Sequence, residues 1–366
     1  MKKQLIFGLS FLLSGCAGLP SIPPNEYSKT QDIPPLTTRI AFDQYGKIYP
    51  TSPPFKIPAM YKLIPNINSG FSIEEHFKKR GLNYNPDQIE NEIIKKIVQN
   101  SKSTVGNTKI IFLIHGFNNS FEKANKSLEL MKKTIEKDST SKNTYVEVYW
   151  DGLHRGPFTF ISPNFYWQNA LANSNYAGQV GFRNLLNKLP ENTDLYFVTH
   201  SRGAAVVLSA FTNPLYNIKE PKYEKFALSK FKKVRIVSFA PAIGTGHFSD
   251  QYMNIKTTIQ NDFPADTKVF LGFNSSDRTL KKYVPKLGER LLGSTKLGYD
   301  NSYYKIVEKS FNKKDLWIQR QEYTQKDHDL KAYFGSEEPK NRIYTNCLLW
   351  ASTLIRTKPI ECTLKQ

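Results

Sequence analysis

Asp194-Leu195-Tyr196-Phe197-Val198-Thr199-His200-Ser201-Arg202-Gly203-Ala204-Ala205 joins two runs of opposite character. Its first half is an apolar, β-rich run of strand length. Its second half is a run of small helix formers, and a serine stands at the corner between them. A strand that turns directly into a helix through a serine is a nucleophile elbow, in which the sharp turn presents the hydroxyl at the carboxyl edge of a sheet. The turn requires small residues two positions before and two after the serine. Gly203 meets the second requirement. Thr199 stands where glycine is usual, and a Thr-x-Ser-x-Gly sequence taken alone also fits a serine that caps a helix.

On either side of the elbow the pattern alternates. Residues 109–114 are a continuous apolar run, 121–136 are helix-like, 145–150 are β-rich, 167–189 are helix-like and 194–199 are apolar again. Beyond it, 202–211 reads as a helix, 233–240 as a strand, 251–260 as a weaker helix and 268–273 as a further strand. Upstream, Ile89, Ile93, Ile94 and Ile97 recur at helical spacing. Strands alternating with helices predict an α/β fold with a doubly wound, mostly parallel sheet covered on both faces. Some 300 residues follow the lead-in, the size of one large domain with insertions. The sequence shows no internal repeat.

A serine hydroxyl needs a histidine to take its proton and a carboxylate to hold that histidine in the right tautomer. Around such an elbow the acid comes from the end of a later strand and the histidine from a late loop. Asp277 follows the strand at 268–273 through Asn274-Ser275-Ser276; Asp262 and Asp266 precede that strand, and Asp300 lies deep in the segment after it. Of the six histidines, His76, His115 and His154 come too early, and His247 precedes the acid. His200, beside the nucleophile, is expected to point away. His328, in Asp327-His328-Asp329 after a final strand at 316–321, has the required address. The oxyanion that forms on attack needs two backbone N–H donors. One is expected from Arg202, and the other from the loop closing the first strong strand, at Phe117 with Asn118 as the near alternative.

Phe112-Leu113-Ile114-His115-Gly116-Phe117-Asn118, the Thr199–Gly203 elbow and a late histidine resemble a lipase-like group of poorly characterised bacterial α/β-hydrolases, over roughly residues 109–334. In that group a strand-end Asp is followed by stretches such as Arg290-Leu291-Leu292-Gly293 and Leu297-Gly298 and then by the histidine. Asp277, these residues and His328 stand here in the same order. The resemblance implies the α/β-hydrolase fold, an insertion between the acid and the histidine, and a Ser201–Asp277–His328 triad. It implies no substrate, because the fold hosts many acyl chemistries. The insertion at 278–315, with Tyr283, Leu287, Leu291, Leu292, Tyr299, Tyr303 and Tyr304, is expected either to lie over the site as an acyl pocket or lid or to form its own small core.

At the start of the chain, Met1-Lys2-Lys3, a short apolar run at 5–13 and Ser14-Gly15-Cys16 read as a secretion leader over residues 1–15. The run is too short for a membrane-spanning helix, which needs about 20 apolar residues. Leu13-Ser14-Gly15-Cys16 resembles the lipobox of bacterial lipoproteins, whose cysteine is lipidated, and Ala17 after it favours the outer membrane. Residues 16–60, rich in proline, are expected to be a tether and lead-in, with the hydrolase domain at 61–366. Export would permit Cys347 and Cys362 to pair; the alternative is two free thiols. The formal charge of +19 falls to +17 without Lys2 and Lys3. The scattered basic charge of a tethered chain is expected either to meet anionic headgroups at a membrane or to be simply a solvated surface, and no nucleic acid partner is expected. With no metal-ligand cluster, phosphate-cradling glycine loop or dinucleotide fingerprint in the sequence, no metal or organic cofactor is expected either. The expected activity is hydrolysis of an acylated small molecule or lipid at the bacterial envelope. The alternatives are a non-catalytic binding scaffold and acyl transfer through the same triad.

Overall fold

The computed structural model describes residues 19–24, 33–50, 71–103, 109–139, 142–154, 166–212, 230–244, 247, 266–281, 295–310, 316–336, 338–362 and 364. The leader with Cys16, the expected helix at 251–260, and Tyr283, Leu287, Leu291 and Leu292 of the insertion lie outside the described residues.

Among the described residues seven parallel strands form one sheet: β1 (Thr37–Phe42), β2 (Lys109–Ile114), β3 (Thr144–Trp150), β4 (Asp194–His200), β5 (Lys233–Phe239), β6 (Thr267–Phe273) and β7 (Leu316–Glu322). Their order across the sheet is β1-β3-β2-β4-β5-β6-β7. The central strands are buried along almost their whole length, as strands covered on both faces must be. Side chains alternate between two cores. Phe112, Phe197, Ile236 and Val269 point to one face, while Leu113, Val198, Val237 and Phe270 point to the other.

The helices are α1 (Ile73–Lys79), α2 (Pro86–Lys102), α3 (Phe121–Lys137), α4 (Trp167–Tyr176), α5 (Arg183–Asn187), α6 (Gly203–Phe211), α7 (Arg278–Lys281), α8 (Asn301–Ser310), α9 (Leu330–Tyr333) and α10 (Pro339–Ala351). α2 and α6 pack on the first core, and α1, α3 and α10 on the second. The expected helix at 167–189 is α4 and α5 joined through a π-helical stretch, Ala177–Phe182. Local chemistry starts these helices where the sequence allows. The Ser120 side chain accepts the Lys123 N–H to begin α3, and Asn85 does the same for Gln88, with Pro86 at the first position of α2. The buried stripe of α3, Ala124, Leu128, Met131 and Ile135, follows the helical period and lies on the sheet.

The lead-in departs from the sequence reading. Within the expected tether, Thr37–Phe42 is the edge strand β1, paired with β3 from Thr37 opposite Tyr145 to Phe42 opposite Trp150. Two polar threonines and an arginine hide it, since they break the apolar signature of a buried strand. Arg39 is nonetheless buried because its Nε donates to Glu147 Oε2 at 2.7 Å on the neighbouring strand. Further upstream, Leu19 bridges to His154 and Ser21 donates its N–H to Asp151 Oδ1 and its hydroxyl to the Asn119 carbonyl. Segments of the lead-in are therefore part of the fold.

Cys347 on α10 and Cys362 are joined by a disulfide, with Cα atoms 5.3 Å apart.

The strand order places the functional end. From β2 the chain crosses to β3 on one side and then returns past β2 to β4 on the other. Loops leaving the carboxyl ends of β2 and β4 therefore diverge and leave a crevice between them, the position at which open α/β sheets bind ligands.

Candidate active site

β4 ends at His200, and Ser201 follows with φ +51°, in the left-handed region that a non-glycine residue enters at a cost of about 1–2 kcal/mol. Its neighbours hold it there. Its N–H donates to the Phe239 carbonyl at 2.8 Å, and its carbonyl accepts from Ala204 and Ala242 at 3.2 Å each. Space around the turn is closed by two glycines. A Cβ on Gly203 would lie 2.5 Å from the His115 carbonyl oxygen, and one on Gly116 would lie 2.9 Å from Ser201 Cβ. Thr199, the departure from the usual glycine, is fully buried, and its hydroxyl is 2.7 Å from that of Ser238 on β5. The threonine fits because the adjacent strand supplies a polar partner.

The late loop and the β6 end meet at this serine. His328 Nε2 is 2.8 Å from Ser201 Oγ, and its Nδ1 is 2.6 Å from Asp277 Oδ2. Asp277 is fully buried and opens the short helix α7, accepting the Leu280 N–H on Oδ1 at 3.0 Å and the Tyr333 hydroxyl on Oδ2 at 3.2 Å. Burial by itself would raise its pKa. The facing His328 ring, with the Leu280 and Tyr333 donors, outweighs burial and holds the carboxyl below its ordinary range. The rival Asp266 is engaged elsewhere, bound through both carboxylate oxygens by Arg235.

The loop after β2 forms the other wall. His115 accepts the Trp150 N–H on Nε2 at 3.2 Å, so its Nδ1 carries the hydrogen that binds the Gly116 carbonyl at 2.8 Å. Burial pushes its pKa down to about 4, so this neutral tautomer persists through the neutral range and fixes the loop. Asn118 adopts φ +60°, and its N–H donates to the Gly152 carbonyl at 3.1 Å. Of the two residues named for the oxyanion, Asn118 is thus already engaged through its amide, which leaves Phe117 as the better candidate. The Phe117 ring packs edge-on to Trp167 with centroids 4.8 Å apart. The Arg202 side chain turns inward, Nε donating to Ser174 Oγ and Nη1 to the Ala242 carbonyl, so only its backbone belongs to the turn.

His200 differs from expectation. Its ring does not point away but donates from Nε2 to the His328 carbonyl at 2.9 Å, with the two rings 5.1 Å apart. Burial first, and then the neighbouring His328, push its pKa down to about 3. Its role as a brace of the late loop had no local signal, since a residue that ends a strand contacts what the topology brings over it. The same holds for Tyr333. Ser201, His200 and His328 open into a groove of about 1320 Å³, whose walls near the serine are Phe117, Trp167, Leu280, Leu330 and Phe334. Tyr304 of the insertion packs in the core instead, with its hydroxyl donated to the Ile318 carbonyl. Among the described residues no cluster of His, Cys, Asp and Glu is arranged to hold a metal ion.

The chain belongs to the alpha/beta hydrolases: residues 86–284, more than half its length, match the family described as alpha/beta hydrolase of unknown function (DUF900). No curated protein matches it. Among solved structures, the resemblance to esterase B from Lactobacillus rhamnosis has 11% identity and a TM-score of 0.32, covering 68% of this chain and 75% of that one. SOBER1 from Arabidopsis thaliana matches at 10% identity and a TM-score of 0.34, over 68% and 99% of the two chains. A phospholipase/carboxylesterase from Dyadobacter fermentans matches at 12% identity and a TM-score of 0.33, over 67% and 91%.

Proposed function

We propose that this α/β hydrolase is a serine hydrolase of carboxylic esters, working through Ser201, His328 and Asp277. The observation that supports it is the unbroken Ser201–His328–Asp277 hydrogen-bond chain, drawn from three separate loops and ending on a serine held in a strained turn. Strain and buried charge at one point cost stability, and they concentrate where chemistry is done.

In this reading Ser201 Oγ attacks the ester carbonyl as His328 Nε2 takes its proton. Asp277 keeps Nδ1 protonated and stabilises the imidazolium. The N–H groups of Phe117 and Arg202 receive the developing oxyanion, each such donor lowering the barrier by about 3–4 kcal/mol. The alcohol then leaves with the proton from His328, and water, activated by the same histidine, releases the acid. The test is labelling by a fluorophosphonate, which reacts with activated serines. Wild-type protein is expected to label, with S201A and H328A unlabelled while folded by circular dichroism. A folded wild type that stays unlabelled, also at high probe concentration, overturns the reading.

The envelope address belongs to the same proposal and rests on residues 1–16. Metabolic labelling with palmitate, lost in C16A, supports it, and unlabelled wild-type chain refutes it.

A further inference from the structure

The groove over Ser201 continues along α3, whose outer face carries Lys123, Lys126, Lys133 and Lys137. At 100° per residue these four lie within about 80° of one another, opposite the buried stripe, so one face of the helix is a row of ammonium groups. Fourteen residues at 1.5 Å each make the row about 21 Å long. It begins just beyond the loop that carries Phe117. Lys331 and Arg342, from α9 and α10, line the same groove. The acids that share it are Glu129, Asp138 and Asp329. Glu129 is paired with Lys133 at 2.6 Å, and Asp329 caps α9 by accepting the Lys331 N–H. Among the described residues, no carboxylate lies within ion-pair distance of Lys123, Lys126, Lys137, Lys331 or Arg342.

Gathering like charges along one groove is unfavourable unless something anionic fills it. The groove combines apolar walls next to the loops of Ser201, Asp277 and His328 (Phe117, Trp167, Leu280, Leu330) with cations, Arg278 and Lys331 beside those loops and the α3 lysines along its length. Resting on the serine-hydrolase reading, we propose that the substrate is an acyl ester whose alcohol part is a multiply anionic, phosphate-bearing head. The acyl chain lies at the aromatic end, and the head extends along α3 toward Lys126 and Lys137. The Ser201 Oγ to acyl carbon bond forms as the ester C–O bond breaks. The phosphate-bearing alcohol leaves with the proton from His328, and water then frees the fatty acid.

The test uses the full chain and two soluble diacyl esters, dihexanoyl phosphatidylinositol bisphosphate, whose long head carries several phosphate groups, and dihexanoyl phosphatidylcholine. Hydrolysis by wild type and binding to S201A are both measured. The wild type is expected to favour the anionic ester in kcat/KM by at least ten-fold, with S201A binding it more tightly by a similar factor. Raising salt should erode both ratios. Both should fall toward one in K126Q/K133Q/K137Q but hold in the charge-matched K78Q/K95Q/K305Q, whose lysines are exposed on α1, α2 and α8. A ratio near one in the wild type, or one that survives the α3 substitutions, overturns the proposal. Inorganic phosphate that displaces the anionic ester from S201A at equal concentration also overturns it, since the acyl chain would then contribute nothing. If neither ester is hydrolysed and the fluorophosphonate does not label, the serine-hydrolase reading fails, and S201A binding still decides whether the groove takes the anionic head.

Discussion

His200 occupies the position before the elbow serine, where a side chain has no obvious partner along its own strand. Its Nε2–H on the His328 carbonyl makes it a brace for a loop 128 residues away. Losing one buried hydrogen bond costs about 1–3 kcal/mol. If that loss falls on the placement of His328, H200A should lower kcat about ten-fold or more with KM little changed, because 1.4 kcal/mol is a factor of ten in rate. H200N, which keeps an N–H donor, should recover part of it. Steady-state kinetics on a short ester decide the point, and a kcat within two-fold of wild type in H200A would show the contact to be idle. Asp277 is more exacting. Its hydrogen bonds with Leu280, Tyr333 and His328 fix both the tautomer and the plane of the His328 ring, and D277N should lower kcat by about 10⁴.

The elbow works as an element because β4, α6 and the loop after β2 meet with no spare volume. Gly203 faces two backbone carbonyls, those of His115 and Ile114, which cannot rotate out of the way. G203A should therefore either push α6 off the sheet or flatten the turn. Overpacking of this kind costs about 1–3 kcal/mol, and the same shift moves Ser201 Oγ from His328. Lower melting temperature together with slower fluorophosphonate labelling is the expected pair of results. An unchanged labelling rate would mean that the turn tolerates more than its geometry suggests. α3 shows a similar division within one helix, with apolar residues seating it on the sheet and lysines facing the groove.

Across the whole molecule, the lead-in closes over the carboxyl ends of β1 and β3 and buries two carboxylates there. Asp43 accepts the N–H groups of Tyr45, Lys47 and Ile73, and Asp151 those of Ser21 and Leu153. Burial raises the first to about 7 and the second to about 6, against opposing backbone bonds. A raised carboxyl pKa means that the folded state holds its proton where the unfolded chain has lost it. Stability from these groups is therefore full below the unfolded value of about 4 and declines as pH rises toward 7. Asp277 has the opposite sign, since its lowered pKa adds stability that is lost only in acid. The buried, neutral His115 and His200 act in the opposite sense below about pH 6.5. The carboxylate contribution is therefore read as a difference: between pH 5 and pH 8 the melting temperature of D43N should rise relative to that of wild type, even though D43N costs a hydrogen bond. An equal slope in D43N would place the pH dependence elsewhere.

The alternation of strands and helices, the turn at Ser201 and the chain order Ser201, Asp277, His328 are legible in the residues alone. Each of these is written locally: burial on both faces makes a strand uniformly apolar, and a tight turn demands small residues. The edge strand β1 escaped that reading, because Arg39 is neutralised by Glu147, 108 residues away, and so carries no local mark of burial. Thr199 looked like a defect in the elbow until Ser238 on the next strand supplied its partner. The inward turn of His200, the amide of Asn118 already bound to Gly152, and the lysine face of α3 lining the groove of Ser201 likewise depend on contacts between segments far apart in the chain. Local periodicity reports which residues are buried; which distant groups meet depends on strand order and the packing of loops above the sheet.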